Sequence, residues 1–355
     1  MRILVFNWKD RGHPAAGGAE VYVDAITRRW ADWGHSVTLF TSRAPRQPAE
    51  EDVCGVRVVR AGGRLSVYRE ARSFYRSKAP RGLDVVLDVV NTRPFLSPDF
   101  VIGVPVVALI FQVAREVWDY EVPWGAASVG RRWLEPRWLR RYRDIPALTI
   151  SASSRDSLRE YGLQDVTIVP VGFELPRTGW GAPPRETLPT VAFLGRLAAN
   201  KRPGHALAAF ERARLSVPDA QMWFIGGGPM ERSLRRGAAE KPVHFFGRVD
   251  EATKRNLLAR AHVLLVTSVR EGWGLVVTEA ASAGTPSIGY DVPGLRDSLR
   301  ASNGVAVRPS IPDLAGAVAE LLPLWAAQGP PAVAPGGVAP WTDVAASILD
   351  HLRAR

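Results

Sequence analysis

The sequence predicts an α/β protein of two domains, each built on a mainly parallel sheet. Three observations carry this. The 355 residues exceed one ordinary core. Both halves repeat a strand–helix–strand rhythm, in which short apolar runs alternate with segments whose apolar residues recur at helical spacing. Between the halves, residues 173–189 (F-E-L-P-R-T-G-W-G-A-P-P-R-E-T-L-P) are rich in Pro and Gly and lack periodicity, which reads as a linker.

Composition narrows the class. Hydrophobic residues make up 46% and charged residues 23% of the chain, as in globular proteins. No run reaches the roughly 18 apolar residues of a membrane-spanning helix. The opening M-R-I-L-V-F-N-W-K is too short in its apolar part for a secretory signal and reads as a first buried strand. A single cysteine, Cys54, excludes an intrachain disulfide and a cysteine-based zinc site, and fits a reducing, cytoplasmic setting. The formal net charge of +11 would suit nucleic acid, a membrane surface or a phosphorylated substrate. No helix-turn-helix, zinc or RNP-type motif accompanies it, so nucleic acid is not expected as a partner.

In the first half, residues 3–7 read as a strand. A loop from Trp8 to Gly18 follows, then a helix over Val21–Trp33 that Gly34 stops. His35–Thr41 completes a βαβ unit with Gly17-Gly18 at its first strand-to-helix turn. Further strands are expected at Val56–Arg60, Val85–Leu87, Val106–Phe111, Leu148–Ser151 and Val166–Pro170, with a helix starting near Ser153–Asp156. Two basic stretches stand out. Arg64–Arg81 interleaves cations with Tyr68, Phe74 and Tyr75, and Arg131–Arg143 sets Trp133, Trp138 and Tyr142 among arginines. Each reads either as a solvated arginine face with its aromatics in the core, or as a surface seeking an anionic membrane or acceptor.

The second half restarts with a strand at Thr190–Leu194, then G-R-L-A-A-N-K-R-P-G and a helix from His205. Arg196 and Lys201 follow a strand, with Gly195 beside the first, and form a candidate diphosphate clamp. Lysine is rare here (Lys9, Lys78, Lys201, Lys241 and Lys254 are all of it), so lysine at 201 points to a compact point charge. Strands at 222–225 and 243–246 run into G-G-G-P and into Gly247-Arg248-Val249, and Asp250 is placed to cap a helix reaching His262. Later helices are expected over 313–322 and 341–352, separated by a Pro/Gly/Ala-rich stretch, 329–340, expected to be flexible.

The most informative stretch runs from Val263 to Gly289. A strand at Val263–Val266 leads through a polar turn to a helix at Leu275–Ala283, which Gly284-Thr285-Pro286 stops before a strand at Ser287–Tyr290. The run Val276-Val277-Thr278 locally favours strand over helix. Gly272 and Gly274 let backbone pass close to a ligand. A helix starting near Gly274 aims free amides and partial positive charge at the turn, which suits phosphate. Glu271 and Glu279, eight positions apart, suit hydroxyls instead. Because helical side chains lean toward the N-terminus, both carboxylates can reach the mouth of the turn. A ligand with phosphate in its middle and hydroxyls at either end matches: a nucleotide-diphosphate sugar.

The text E-G-W-G-L-V-V-T-E-A-A-S-A-G-T-P resembles the E-x7-E signature of glycosyltransferase family 4, a group of retaining enzymes with the GT-B fold. The resemblance extends over nearly the whole chain. It implies two Rossmann-like domains facing across a cleft: an acceptor domain at 1–172, a linker at 173–189 and a donor domain at 190–335. A terminal helix within 336–355 is expected to return to the first domain. It implies transfer of a sugar from a nucleotide-diphosphate sugar, UDP before GDP, to a hydroxyl on a cell-wall lipid, a polysaccharide or a secondary metabolite. By resemblance Arg196 and Lys201 hold the leaving diphosphate, Glu271 orients the transferred sugar and Glu279 accepts from the ribose. Gly272, Trp273, Gly274 and Leu275 surround the donor between these carboxylates, Gly195 stands beside Arg196, and Gly247, Arg248 and Val249 touch the base. Gly17 and Gly18 give backbone access toward the donor sugar and acceptor.

One departure stands against this pattern. The family commonly carries a first-domain histidine facing the transferred sugar, but no histidine lies between His35 and His205. Phe111 or Gln112 occupies the place; Gln112 reads either as a sugar contact or as strand-end packing, and His13 in the first loop is a minor candidate. That gap supports the alternative of a non-catalytic nucleotide-sugar or glycan-binding protein of the same fold. No Asp lies two residues from another, so there is no D-x-D metal motif. The leaving charge then falls to Arg196, Lys201 and the helix N-terminus, with no metal and no other cofactor. No carboxylate nucleophile is evident in the first domain, so the family's front-face, retaining substitution is the expected course. The expected location is cytoplasmic, with peripheral contact at the inner face of an anionic membrane as the further expectation from Arg131–Arg143.

Overall fold

The computed structural model describes residues 1–122, 124–174 and 183–355. Of the expected linker, residues 175–182 lie outside the described residues. The chain divides into two compact units: Met1–Trp118, Pro123–Glu174 and Val338–Arg355 form the first, and Asp119–Val122 with Leu175–Gly337 the second. Asp119–Val122 thus groups with the second unit, where Tyr120 Oη accepts from Arg202 Nη2 at 2.9 Å.

The first unit contains an eight-stranded sheet: β1 Arg2–Phe6, β2 Ser36–Thr41, β3 Glu50–Val53, β4 Val56–Arg60, β5 Val85–Val90, β6 Val106–Ile110, β7 Ala147–Thr149 and β8 Val166–Ile168. The order is β3-β4-β2-β1-β5-β6-β7-β8. Only the β3–β4 pairing is antiparallel. The central strands are covered on both faces, so their sequences are unbroken apolar runs rather than alternating ones. Asp88 is the exception in β5. It is fully buried and accepts from Ser97 Oγ at 2.6 Å and Tyr142 Oη at 2.5 Å. Burial raises its pKa, and these donors pull it back. Strand β3, Glu-Glu-Asp-Val, has an exposed acidic pattern and was not expected. Its turn makes it: Cys54 and Gly55 take φ of 53° and 77°, and Asp52 accepts from the Gly55 amide at 3.0 Å. Two positive φ values in a two-residue loop suit a tight hairpin. A short strand β9, Val171–Gly172, ends this part of the unit.

The second unit holds six parallel strands: β10 Thr190–Leu194, β11 Gln221–Ile225, β12 Val243–Gly247, β13 Val263–Val266, β14 Ser287–Tyr290 and β15 Val305–Val307. They lie in the order β12-β11-β10-β13-β14-β15. Their core is closed by the helices Pro203–Ala213 and Ile311–Gln328, through Leu207, Phe210, Leu314, Val318 and Leu322. The latter helix starts at a Ser310 cap and continues past Pro323 to Gln328, beyond its expected end at 322.

The end of the stretch expected to be flexible, 329–340, is held. A Cβ on Gly336 would stand 1.9 Å from the Ala301 carbonyl oxygen, and one on Gly337 2.4 Å from the Trp273 ring. Strand β16, Val338–Ala339, then pairs with β9. The last helix, Trp341–Arg353, belongs to the first unit. It buries Val344, Ala345, Ile348, Leu349 and Leu352, and the Ala345 carbonyl accepts from Trp30 Nε1 at 2.8 Å. Trp341 lies flat against Gly172, where a Cβ would meet the ring at 2.0 Å. Among the described residues, no helix is long and apolar enough to cross a membrane. Ile348 is fully buried in this seam, so Ile348→Ala is expected to lower unfolding stability by about 2–5 kcal/mol in urea titration. A loss under about 0.5 kcal/mol, the size of an ordinary surface change, would show that the terminal helix does not close the first unit.

Candidate active site

In the second sheet the chain reverses direction between β10 and β13. Strands β11 and β12 lie on one side of β10, and β13, β14 and β15 on the other. The loops after β10 and β13 therefore leave the same edge side by side, the place where open parallel sheets hold ligands. Here they clasp each other. Thr267 Oγ1 donates to the carbonyls of Lys201 at 2.8 Å and Arg202 at 2.9 Å, and the Val269 amide donates to Asn200 at 2.9 Å. That seats Lys201 Nζ against Glu271 Oε1, which also accepts from Ser268 Oγ at 2.6 Å. Glu271 Oε2 has no protein partner among the described residues.

Neighbouring turns pack backbone on backbone. Gly226 has φ of +126°, and a Cβ there would stand 2.1 Å from the Gly195 carbonyl oxygen. Its amide donates to Gly247 at 2.7 Å, so that Gly247 carbonyl is already engaged. Arg196 projects from the first of these turns, exposed, and its side chain has no hydrogen bond or ion pair among the described residues. Arg248 is likewise exposed, and Val249 packs against the core. On the other flank Gly294, φ +79°, lets residue 293 accept from the Glu271 amide at 3.2 Å; a Cβ on Gly294 would stand 2.0 Å from the Glu271 carbonyl oxygen. Gly294 was not among the expected site residues, although its Pro-Gly dipeptide was a signal for a tight turn.

Gly274, at φ +92°, starts the helix Leu275–Ser282. The helix forms despite its β-branched run because Val277, Ala280 and Ala281 are buried against the sheet, and packing overrides local preference. Leu275 is half-buried at its first position, and Gly272 is half-buried before it. Trp273 corrects an expectation. Its side chain is 7% exposed, donates from Nε1 to Thr278 Oγ1 at 3.0 Å and packs on Gly337, so the ring is core rather than ligand surface.

Glu279 lies one turn into this helix, and Lys254 Nζ donates to its Oε1 at 2.8 Å. Lys254 comes from the helix Glu251–Arg260, capped by Asp250, and also pairs with Glu251 at 2.8 Å. Burial raises the Glu279 pKa, with Lys254 offsetting part of the rise. Burial lowers that of Lys254, but Glu279 and Glu251 outweigh it and the net shift is upward. The two site carboxylates are thus built alike: each has one oxygen held by a lysine and the other free of protein partners among the described residues. Also among the described residues, no group of three or more His, Cys, Asp or Glu could hold a metal ion.

In the first unit, Gly17 and Gly18 open the helix Gly18–Asp32. The Gly17 amide is taken by Glu20 Oε2 at 2.5 Å, so this backbone group is held by the first turn of its own helix instead of standing open. His13 Nδ1 accepts from the Ala15 amide at 3.0 Å, and burial together with Lys9 lowers its pKa. That bond makes it a loop brace. Gln112, just after β6, is half-buried, and its Oε1 is buried without a partner among the described residues.

The sequence matches Glycosyltransferase Family 4 over residues 16–177 and Glycosyl transferases group 1 over residues 188–323, one in each unit. The chain belongs to glycosyltransferase family 4. It is a glycosyltransferase of the nucleotide-sugar-using kind with the GT-B fold. The relatives include glycogen synthase of Mycobacterium tuberculosis, 27% identical over 91% of this chain and 86% of that one. Another is a GDP-mannose-dependent phosphatidylinositol dimannoside mannosyltransferase of the same species, 24% identical over 82% and 80%. Among solved structures, sucrose-phosphate synthase of Thermosynechococcus elongatus has TM-score 0.75 at 20% identity over 99% and 98% of the chains. HepE of Anabaena, solved with UDP and glucose, has TM-score 0.70 at 16% identity over the full length of both.

Lys254 was not anticipated, and its coupling to Glu279 has a pH signature. An acid whose folded-state pKa lies above its unfolded value destabilises the fold when ionised; the cost grows as pH rises through the folded pKa and fades as pH falls below it. Removing the lysine should enlarge that cost. Lys254→Met is therefore expected to be more destabilised relative to the parent at about pH 8 than at about pH 5. Urea titrations at both pH values measure this, and an equal deficit at the two would disconnect Glu279 from Lys254.

Proposed function

We propose that the chain moves a glycosyl residue from a nucleotide-diphosphate sugar to a hydroxyl acceptor, with retention and without a metal. The observation that carries this is the switch-point arrangement: Lys201 beside Glu271, with the Arg196 side chain unpaired among the described residues on the adjoining turn. Arg196 and Lys201 take the diphosphate, joined by the amides at the start of Leu275–Ser282. A diphosphate arriving there competes with Glu271 for the lysine and frees the carboxylate to accept from a hydroxyl of the transferred sugar. Glu279 accepts from the ribose through the oxygen that Lys254 leaves open. In the step itself, the bond from the anomeric carbon to the β-phosphate oxygen breaks as the acceptor oxygen bonds to the same face. The acceptor proton passes to the departing phosphate, whose charge the two cations stabilise.

The donor is UDP-linked before GDP-linked: the first nucleotide is the one held by HepE, and the second is named for the mannosyltransferase relative. The acceptor hydroxyl belongs to a cell-wall lipid, a polysaccharide or a secondary metabolite. A peripheral seat on an anionic membrane fits Trp133, 74% exposed, with Arg132, Arg137, Arg140 and Arg141 exposed around it. A cytoplasmic location would give this face the inner leaflet as its partner.

Lys201→Ala is expected to lower nucleotide release from a UDP-sugar or GDP-sugar panel by about 10²–10³ with melting behaviour kept. Near-parental turnover would sink the clamp, and turnover that stops in EDTA and returns with Mg²⁺ would sink the metal-free part. Trp133→Ser is expected to reduce co-sedimentation with phosphatidylglycerol vesicles, and equal sedimentation on phosphatidylcholine would show that anionic charge plays no part.

A further inference from the structure

Arg60, buried, is held by Asp10 at 2.7 Å and Glu51 at 2.9 Å, which is how this chain stabilises a structural arginine. Arg93 is different. Its guanidinium lies over the Tyr68 ring at 4.1 Å and faces the Trp138 ring at 5.6 Å. It has no hydrogen bond or ion pair among the described residues, and its Nε is buried without a partner. The nearest carboxylate in sequence, Asp88, is engaged by Ser97 and Tyr142. A buried donor left open is costly unless something arrives to take it.

Its position is equally specific. The first sheet reverses direction between β1 and β5, and Arg93 stands just past the end of β5 at that switch point. Gln112, with its own unpartnered Oε1, follows the neighbouring parallel strand β6 at the same edge. Arg64 is exposed, also unpaired among the described residues, and near enough to Tyr68 to act on its titration alongside Arg93. Burial still prevails there, and Tyr68 is pushed up to about 12, so its hydroxyl is a proton donor at neutral pH.

We propose that Arg93, clamped between Tyr68 and Trp138 with Arg64 nearby, receives a phosphate group on the acceptor. The acceptor would then be a phosphate-bearing hydroxyl compound, either a sugar phosphate or a phospholipid headgroup. This rests on the glycosyl-transfer reading above and names its second substrate. The aromatic faces fix the guanidinium plane and exclude water, so its fork of N–H donors meets phosphate oxygens in pairs. The second charge of a phosphate monoester falls to Arg64. The open Gln112 oxygen, at the same edge, is an acceptor for a hydroxyl of the same molecule.

The full chain is titrated with inorganic phosphate, with glucose 6-phosphate beside glucose, and with phosphatidylinositol vesicles beside phosphatidylcholine vesicles, followed by Trp fluorescence and calorimetry. The phosphorylated member of each pair should bind more tightly, and whichever pair shows it separates a soluble from a lipid source. Arg93→Gln should weaken that binding by at least about tenfold and Arg64→Gln by less, while UDP or GDP affinity stays unchanged. Arg93→Lys should recover part of the affinity, which separates lost charge from lost folding. The same titration in Arg196→Ala/Lys201→Ala removes the diphosphate clamp of the second unit. Phosphate binding that vanishes in that double variant but persists in Arg93→Gln would overturn the proposal and leave the donor reading intact. Equal binding of phosphorylated and unphosphorylated members would overturn it as well.

Discussion

The site depends on one topological fact of the second sheet: the chain turns back between β10 and β13. Parallel strands put all their strand-to-helix loops on one edge, and a reversal of order opens the space between two of them. Lys201 and Glu271 are 70 residues apart in sequence, yet the reversal makes their loops neighbours, and Thr267 and Ser268 fix the contact. Without the reversal the same residues would sit on turns separated by other strands. The glycines serve this constraint. Gly226 and Gly294 lie where adjoining backbones approach too closely for any side chain.

Electrostatics complete what topology begins. Burial alone raises the pKa of a carboxylate and lowers that of a lysine. Lys254 offsets part of the rise that burial imposes on Glu279, and Glu279 with Glu251 outweighs the burial of Lys254; in this pair and in Glu271–Lys201 one carboxylate oxygen has no protein partner among the described residues. The resting site is thus charge-balanced and still able to accept hydroxyl donors. Arg196 stands outside this balance: its side chain has no partner among the described residues, so it can meet an incoming anion without first giving one up.

Most of this was legible in the sequence where local chemistry and burial agree. The apolar strands, the Asp250 cap and the turn glycines each carry a signal that tertiary packing does not reverse. The misses have physical causes. Strand β3 is acidic and exposed, and only the positive φ values at Cys54 and Gly55 reveal a hairpin. Trp273 sits in the most suggestive motif of the chain, yet the ring turns inward because Gly337 leaves a slot for it. Stretch 329–340 has the composition of a linker, but Gly336 and Gly337 are there for close packing rather than freedom. Lys254 was within reach: the rarity of lysine that marked Lys201 applied to it equally, and only the pairing across two helices was hidden.

The first sheet obeys the same rule as the second, and this gives Arg93 its meaning. Each unit reverses its strand order once beside its first strand, and each places an unusual cation on a loop at that reversal. In the second unit the lysine is balanced by a carboxylate; in the first the arginine is balanced by none among the described residues, and two aromatic faces hold it in place. Aromatic faces orient a guanidinium without neutralising it. A charge kept oriented, partly dehydrated and unpaired is arranged for an anion that comes and goes, because a permanent partner would have been encoded in the chain, as Asp10 and Glu51 are for Arg60.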